Sequence, residues 1–153
     1  MTMFATADGT PLNILLVEDD DGDVLAVQRT FRKANIGNPV LRAVDGVEAL
    51  DMLRGTNGKE KAAPPLLLLV DLNMPRMNGF QFVQALRQDE ALRHSIAFML
   101  TTSKREADKI AARDLDVAGY IVKGLPGQEP LGDLVSLMNR YCCTAGLTAS
   151  RPV

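Results

Sequence analysis

Asp71-Leu72-Asn73-Met74-Pro75-Arg76-Met77-Asn78-Gly79 follows the aliphatic run Leu66 to Val70, and this junction decides how the chain folds. The run Leu66 to Leu72 is apolar on both pleat faces up to the acid, the pattern of a strand covered by helices on both sides in a parallel sheet. The residues after it are turn formers, so Asp71 stands where the strand gives way to a loop. Four further aliphatic runs flank it: Ile14 to Val17, Val40 to Val44, Ile96 to Leu100 and Tyr120 to Val122. All read as strands.

Helical patterns lie between the runs. Val24, Val27, Phe31 and Ala34 recur at helical spacing, and so do Leu131, Leu134, Val135, Met138 and Cys142. Asp45 with Glu48, Asn78 with Gln81 and Ser103 with Glu106 have the spacing of a capping box, and Pro130 suits a first helical turn. A βα unit repeated five times predicts an α/β fold, a (βα)5 doubly wound parallel sheet. Residues 54–65 read as a polar loop, 1–11 as a short N-terminal extension and 144–153 as a tail without apolar period. The core spans about 12–143 of a single 1–153 domain.

Composition narrows the function. Nineteen acidic against seventeen basic residues give a net charge of -2, so the basic footprint of a nucleic-acid binder is missing. Cys142 and Cys143 are adjacent and have no partners elsewhere for a disulfide framework or a zinc quartet. No signal-peptide pattern opens the chain, and no aliphatic run approaches the roughly 20 residues of a membrane span. A cytoplasmic protein, bound to neither membrane nor nucleic acid, is expected.

Ligands of open α/β sheets bind beyond the carboxyl ends of the strands, and there the acids collect. Glu18 and Asp19 follow the first run and Asp71 ends the third. Two carboxylates about 4 Å apart repel by roughly 4 kcal/mol at an effective dielectric near 20, so three in one pocket call for a proton or a hard cation. Mg2+ prefers to share a phosphate with one or two carboxylates, which points to phosphoryl chemistry. Thr101 after the fourth run offers a hydroxyl, and Lys123 after the fifth an ammonium. Asp20, Asp21 and Asp23 read as acids that complement a helix N-terminus.

Glu18-Asp19, Asp71 with its turn, Leu100-Thr101-Thr102-Ser103 and Gly119-Tyr120-Ile121-Val122-Lys123 together resemble the receiver domain of two-component response regulators. The resemblance implies a flavodoxin-like sheet of strand order 2-1-3-4-5. It also implies that Asp71 takes a phosphoryl group from a sensor histidine kinase, with Mg2+ held by Asp19, Asp71 and the backbone carbonyl of Asn73, and with Glu18 acting through water. Thr101 and Lys123 would hold the phosphoryl oxygens, and Thr101 with Tyr120 would switch the face formed by the fourth helix, fifth strand and fifth helix. Asn73 and Ser103 would tune hydrolysis of the acyl phosphate.

Val17 to Asp23, the loop before the third strand and Leu100 to Lys104 resemble a subgroup of single-domain regulators served by phytochrome-type kinases. That implies a bacteriophytochrome partner and a homodimer through the switch face, helped by the tail. No effector domain follows Val153, so protein docking is the expected output, and the chain is no enzyme beyond turning over its own phosphate. Two other readings stand beside this one. An aspartyl-phosphate phosphatase would place an acid two residues after its nucleophile, where this chain has Asn73. A phosphorylation-independent adaptor would leave the acidic pocket idle. One departure stands out: the family usually has Pro after the strand-five lysine, with a cis peptide, and here Gly124 follows. A non-proline cis bond costs about 2.5 to 4 kcal/mol, so a trans bond is expected, which puts the reach of Lys123 in question.

Overall fold

The computed structural model describes residues 2–123, 131, 133–144, 146 and 148–150. Strand β1 (Met3–Ala5) precedes β2 (Asn13–Val17), α1 (Asp21–Lys33), β3 (Val40–Ala43), α2 (Gly46–Arg54), β4 (Leu66–Asp71), α3 (Gly79–Gln88), β5 (Ile96–Thr101), α4 (Glu106–Asp114), β6 (Gly119–Val122), α5 (Leu134–Thr144) and β7 (Thr148–Ser150). Five strands form one parallel sheet of order β3-β2-β4-β5-β6, which is 2-1-3-4-5 when those strands alone are numbered. This is the flavodoxin-like arrangement.

Pleat alternation divides the apolar side chains between two cores. Ile14, Leu16, Leu67, Leu69, Phe98 and Leu100 face Val24, Val27 and Phe31 of α1 and Leu134, Met138 and Cys142 of α5. Leu15, Val17, Leu68, Val70, Ala97 and Met99 face residues of α2, α3 and α4. Burial on both faces explains why β4 reads as an unbroken apolar run. Among the described residues no helix is long and apolar enough to cross a membrane.

The helix caps follow the sequence in two of three cases. Asp45 accepts from the Glu48 N–H, and Asn78 with Gln81 forms the full reciprocal box. At α4 the expectation fails. The helix starts at Glu106, its N-cap Arg105 makes no side-chain cap bond, and Ser103 donates its hydroxyl to Asp108 at 2.5 Å instead. The Ser103 oxygen accepts from the Arg105 N–H at 3.2 Å, so the hydroxyl closes the loop ahead of the helix instead of capping its first turn. The last helix begins at Leu134, with Leu131 ahead of it at φ 62°, and Pro130 lies outside the described residues.

The ends of the chain correct a second expectation. Residues 3–5 and 148–150, read as extension and tail, pair antiparallel as a two-stranded sheet, Phe4 opposite Ala149. Phe4 is 0% exposed and belongs to the α1–α5 core. The buried Asn38 side chain accepts from the Phe4 N–H and donates to the carbonyls of Phe4 and Leu12, each at 2.8 Å. Such bonds satisfy backbone groups that burial would otherwise leave unpaired.

Phe4→Ala is therefore expected to lower the unfolding free energy by about 3 kcal/mol, the usual scale for truncating a core phenylalanine. Urea denaturation measures it. A loss below about 0.5 kcal/mol would show that β1 is not part of the core.

Candidate functional site

Parallel register brings the strand ends to one level. Val17 lies opposite Val70, Asp71 opposite Leu100, and Thr101 opposite Val122. Glu18 and Asp19 leave the end of β2, Asp71 closes β4, Thr101 closes β5, and Lys123 follows β6. The backbone continues the ladder past the strands, with the Glu18 N–H on the Ala43 carbonyl at 3.0 Å and the Lys123 N–H on the Thr101 carbonyl at 2.7 Å. Close approach of α3 to this level requires Gly79, since a Cβ there would lie 2.6 Å from the Asp71 carbonyl oxygen.

Glu18, Asp19 and Asp71 form a cluster whose carboxylate oxygens lie within 4.8 Å of one another. Glu18 is 1% and Asp71 5% exposed, while Asp19 opens to solvent. Burial pushes the Glu18 carboxyl up to about 7 despite the opposing charge of Lys123, with the Asp71 charge adding to the rise. Burial likewise raises Asp71 above the ordinary carboxylate range, against the Lys123 ammonium and the Asn73 backbone N–H. Burial alone would lower Lys123. The hydrogen bond to Asp23 and the charges of Asp71 and Glu18 outweigh it and hold the ammonium above its usual range.

Lys123 Nζ lies 2.6 Å from Asp23 Oδ2 and 3.2 Å from both Glu18 Oε2 and Asp71 Oδ1. It therefore reaches the acids, and the doubt raised by Gly124 does not extend to the position of its ammonium. The bond between Lys123 and Gly124 itself lies outside the described residues.

An all-oxygen trio with one solvent-facing member fits a hard divalent cation that keeps several waters. Glu18, Asp19 and Asp71 would hold it. Asn73 stands two residues beyond Asp71 with an exposed side chain, and its N–H already serves the Asp71 carboxylate.

Thr101 is fully buried, and its Oγ1 accepts from the Ser103 N–H at 3.0 Å. Tyr120 is half-buried and donates its hydroxyl to the Ser103 carbonyl at 2.9 Å, so β6 is tied to the loop that follows Thr101. His94 is exposed in the turn before β5, away from this cluster.

Three site-shaping residues escaped the sequence reading. Asp23 makes the shortest contact with Lys123, and the motif gave one hint of it, a fifth acid in the first turn of α1. Arg42 of β3 donates to the carbonyls of Glu18 at 2.9 Å and Asp19 at 3.1 Å and pairs with Asp21 at 2.8 Å, fixing the acidic loop from the sheet edge. Arg76, at φ 64°, donates Nε to the buried Asp45 at 2.9 Å and so ties the loop after Asp71 to the start of α2. Neither arginine has a sequence signal, because both act across long separations.

A family model described as response regulator receiver domain matches residues 14–134. Response regulator Rcp1 of Synechocystis sp. is 34% identical over 113 residues, which cover 74% of this chain and 77% of that protein. Among solved structures, the Mn2+-bound form of response regulator Rcp1 is 30% identical with a TM-score of 0.71, covering 94% of this chain and all (100%) of that one. The bacteriophytochrome response regulator AtBRR is 27% identical with a TM-score of 0.72, covering 92% and 96%.

Cation binding here must displace the Glu18 proton below about pH 7 and none well above it. Calorimetric titration with Mn2+ in buffers of different ionisation heat should release close to one proton per ion at pH 6 and almost none at pH 8.5. Affinity should rise about tenfold across that window. A proton count independent of pH would contradict the assignment of Glu18 to the site.

Proposed function

The chain belongs to the response regulator receiver domain family, and from that premise we propose that Asp71 accepts a phosphoryl group from the phosphohistidine of a sensor histidine kinase in a Mg2+-dependent reaction. The observation that carries this reading is the convergence of Glu18, Asp19, Asp71 and Lys123 at one end of the sheet. Transfer breaks the P–N bond and forms a P–O bond to the Asp71 carboxylate. Charge neutralisation and positioning are the main demands on the protein. When bound by Asp19, Asp71 and Glu18, with the Asn73 carbonyl as a further oxygen, Mg2+ supplies positive charge to the transferring oxygens.

The chain's own residues do the rest. Burial keeps bulk water from the buried side of Asp71. Lys123 offers its ammonium to the oxygens that gain charge, and the Thr101 hydroxyl, one residue past the register partner of Asp71, offers a second donor. As Thr101 moves toward a phosphoryl group, the Ser103 N–H that it now accepts from must follow, and with it the carbonyl that holds Tyr120. This linkage would carry the signal to the face of α4, β6 and α5. A coupling of about 1 to 3 kcal/mol would suffice.

The same reading makes the output a docking event, with no enzymatic turnover beyond loss of the chain's own phosphate. Likeness to AtBRR, a bacteriophytochrome response regulator, favours a phytochrome-type kinase as donor, and with that reading goes a homodimer through the same face. Asn73 in place of an acid argues against phosphatase chemistry.

Incubation with a small phosphodonor and Mg2+ is expected to add one phosphoryl group by intact mass, abolished by Asp71→Asn and by a chelator. Unmodified wild type, or a modified Asp71→Asn, would overturn the proposal.

A further inference from the structure

Lys123 has three N–H donors, and each meets a different carboxylate. Two of these acceptors, Glu18 and Asp71, belong to the cation cluster. The third, Asp23, does not, and it makes the shortest contact, 2.6 Å against 3.2 Å for the others. Its position is built in. Asp20 caps α1 by accepting from the Asp23 N–H at 2.8 Å, which sets the Asp23 side chain on the first turn facing Lys123. The Lys123 side chain is 12% exposed, so water offers it little alternative, whereas Asp23 at 42% can rehydrate if released.

We propose that Asp23 is a positioning residue that holds Lys123 in reserve, so that a phosphoryl group on Asp71 must win the ammonium from Asp23. The inference rests on the phosphoacceptor reading of Asp71. An added phosphoryl oxygen finds no vacant donor on Lys123, and the contact most easily given up is the one whose acid returns to water. Asp23 thereby weakens the phosphorylated form without touching the cation or the phosphoryl group.

Neutralising Asp23 should release Lys123 and tighten binding of a phosphoryl mimic. With Mg2+ present, Asp23→Asn is expected to bind trifluoroberyllate about fivefold more tightly than wild type, the scale of exchanging a half-exposed ion pair for an ammonium–amide hydrogen bond. Asp21→Asn is the control. It removes the same charge from the same helical turn, but Asp21 pairs with Arg42 and has no bond to Lys123. That variant should bind the mimic within about twofold of wild type. Without the mimic, the Lys123 side-chain amine resonances should shift in Asp23→Asn and stay in place in Asp21→Asn, which separates release of the lysine from a general loss of charge. Equal affinities for the two variants, or an unmoved Lys123 resonance in Asp23→Asn, would overturn the inference and leave the phosphoacceptor reading intact. A wild type that binds no mimic would overturn that reading first, and this one with it.

Discussion

One ammonium shared among three carboxylates at the carboxyl end of a parallel sheet is the interaction on which the rest of the molecule depends. Glu18 and Asp71 are buried, and two charges of like sign at such separations repel by about 4 kcal/mol at an effective dielectric near 20. Lys123 offsets part of that repulsion, and burial shifts both carboxyls upward to absorb more of it. The remainder is a standing affinity for positive charge. That affinity is the chemical character of the site, and it exists only because β2, β4 and β6 deliver these groups to one level.

Much of the structure serves that delivery. Apolar faces on both sides of β4 fix its register against β2 and β5, and a slip of one residue would turn Asp71 into the wrong layer. Gly79 lets α3 close on the Asp71 backbone, Arg42 holds the Glu18–Asp19 loop by its carbonyls, and Arg76 ties the loop after Asp71 to the buried Asp45. The backbone hydrogen bond from Lys123 to Thr101 seats the lysine beside the hydroxyl. Tyr120 extends the same frame outward through Ser103.

The sheet was readable from sequence because its central strands β2, β4 and β5 are buried on both faces and so spell their length in aliphatic residues, and Asp71, Glu18 and Asp19 were readable because strand ends are where this architecture keeps its ligands. What stayed hidden has a common physical origin in distance along the chain. Met3–Ala5 and Thr148–Ser150 are too short for any periodicity, and their strands exist through pairing across the whole chain, Phe4 burial and the Asn38 side chain. Asp23 was concealed by a sound local rule, since acids belong at helix N-termini whether or not a lysine 100 residues away reaches them. Ser103 misled for a local reason: its capping spacing was right, but the helix starts only at Glu106, and the hydroxyl engages Asp108 and the Arg105 N–H instead.

The chemistry of the site depends on the acidic trio gripping a divalent cation. Crystals soaked with Mn2+ and measured at its absorption edge locate the ion directly. The strongest anomalous peak should lie among the carboxylates of Glu18, Asp19 and Asp71. A fully occupied peak elsewhere, or an empty trio at saturating Mn2+, would contradict it.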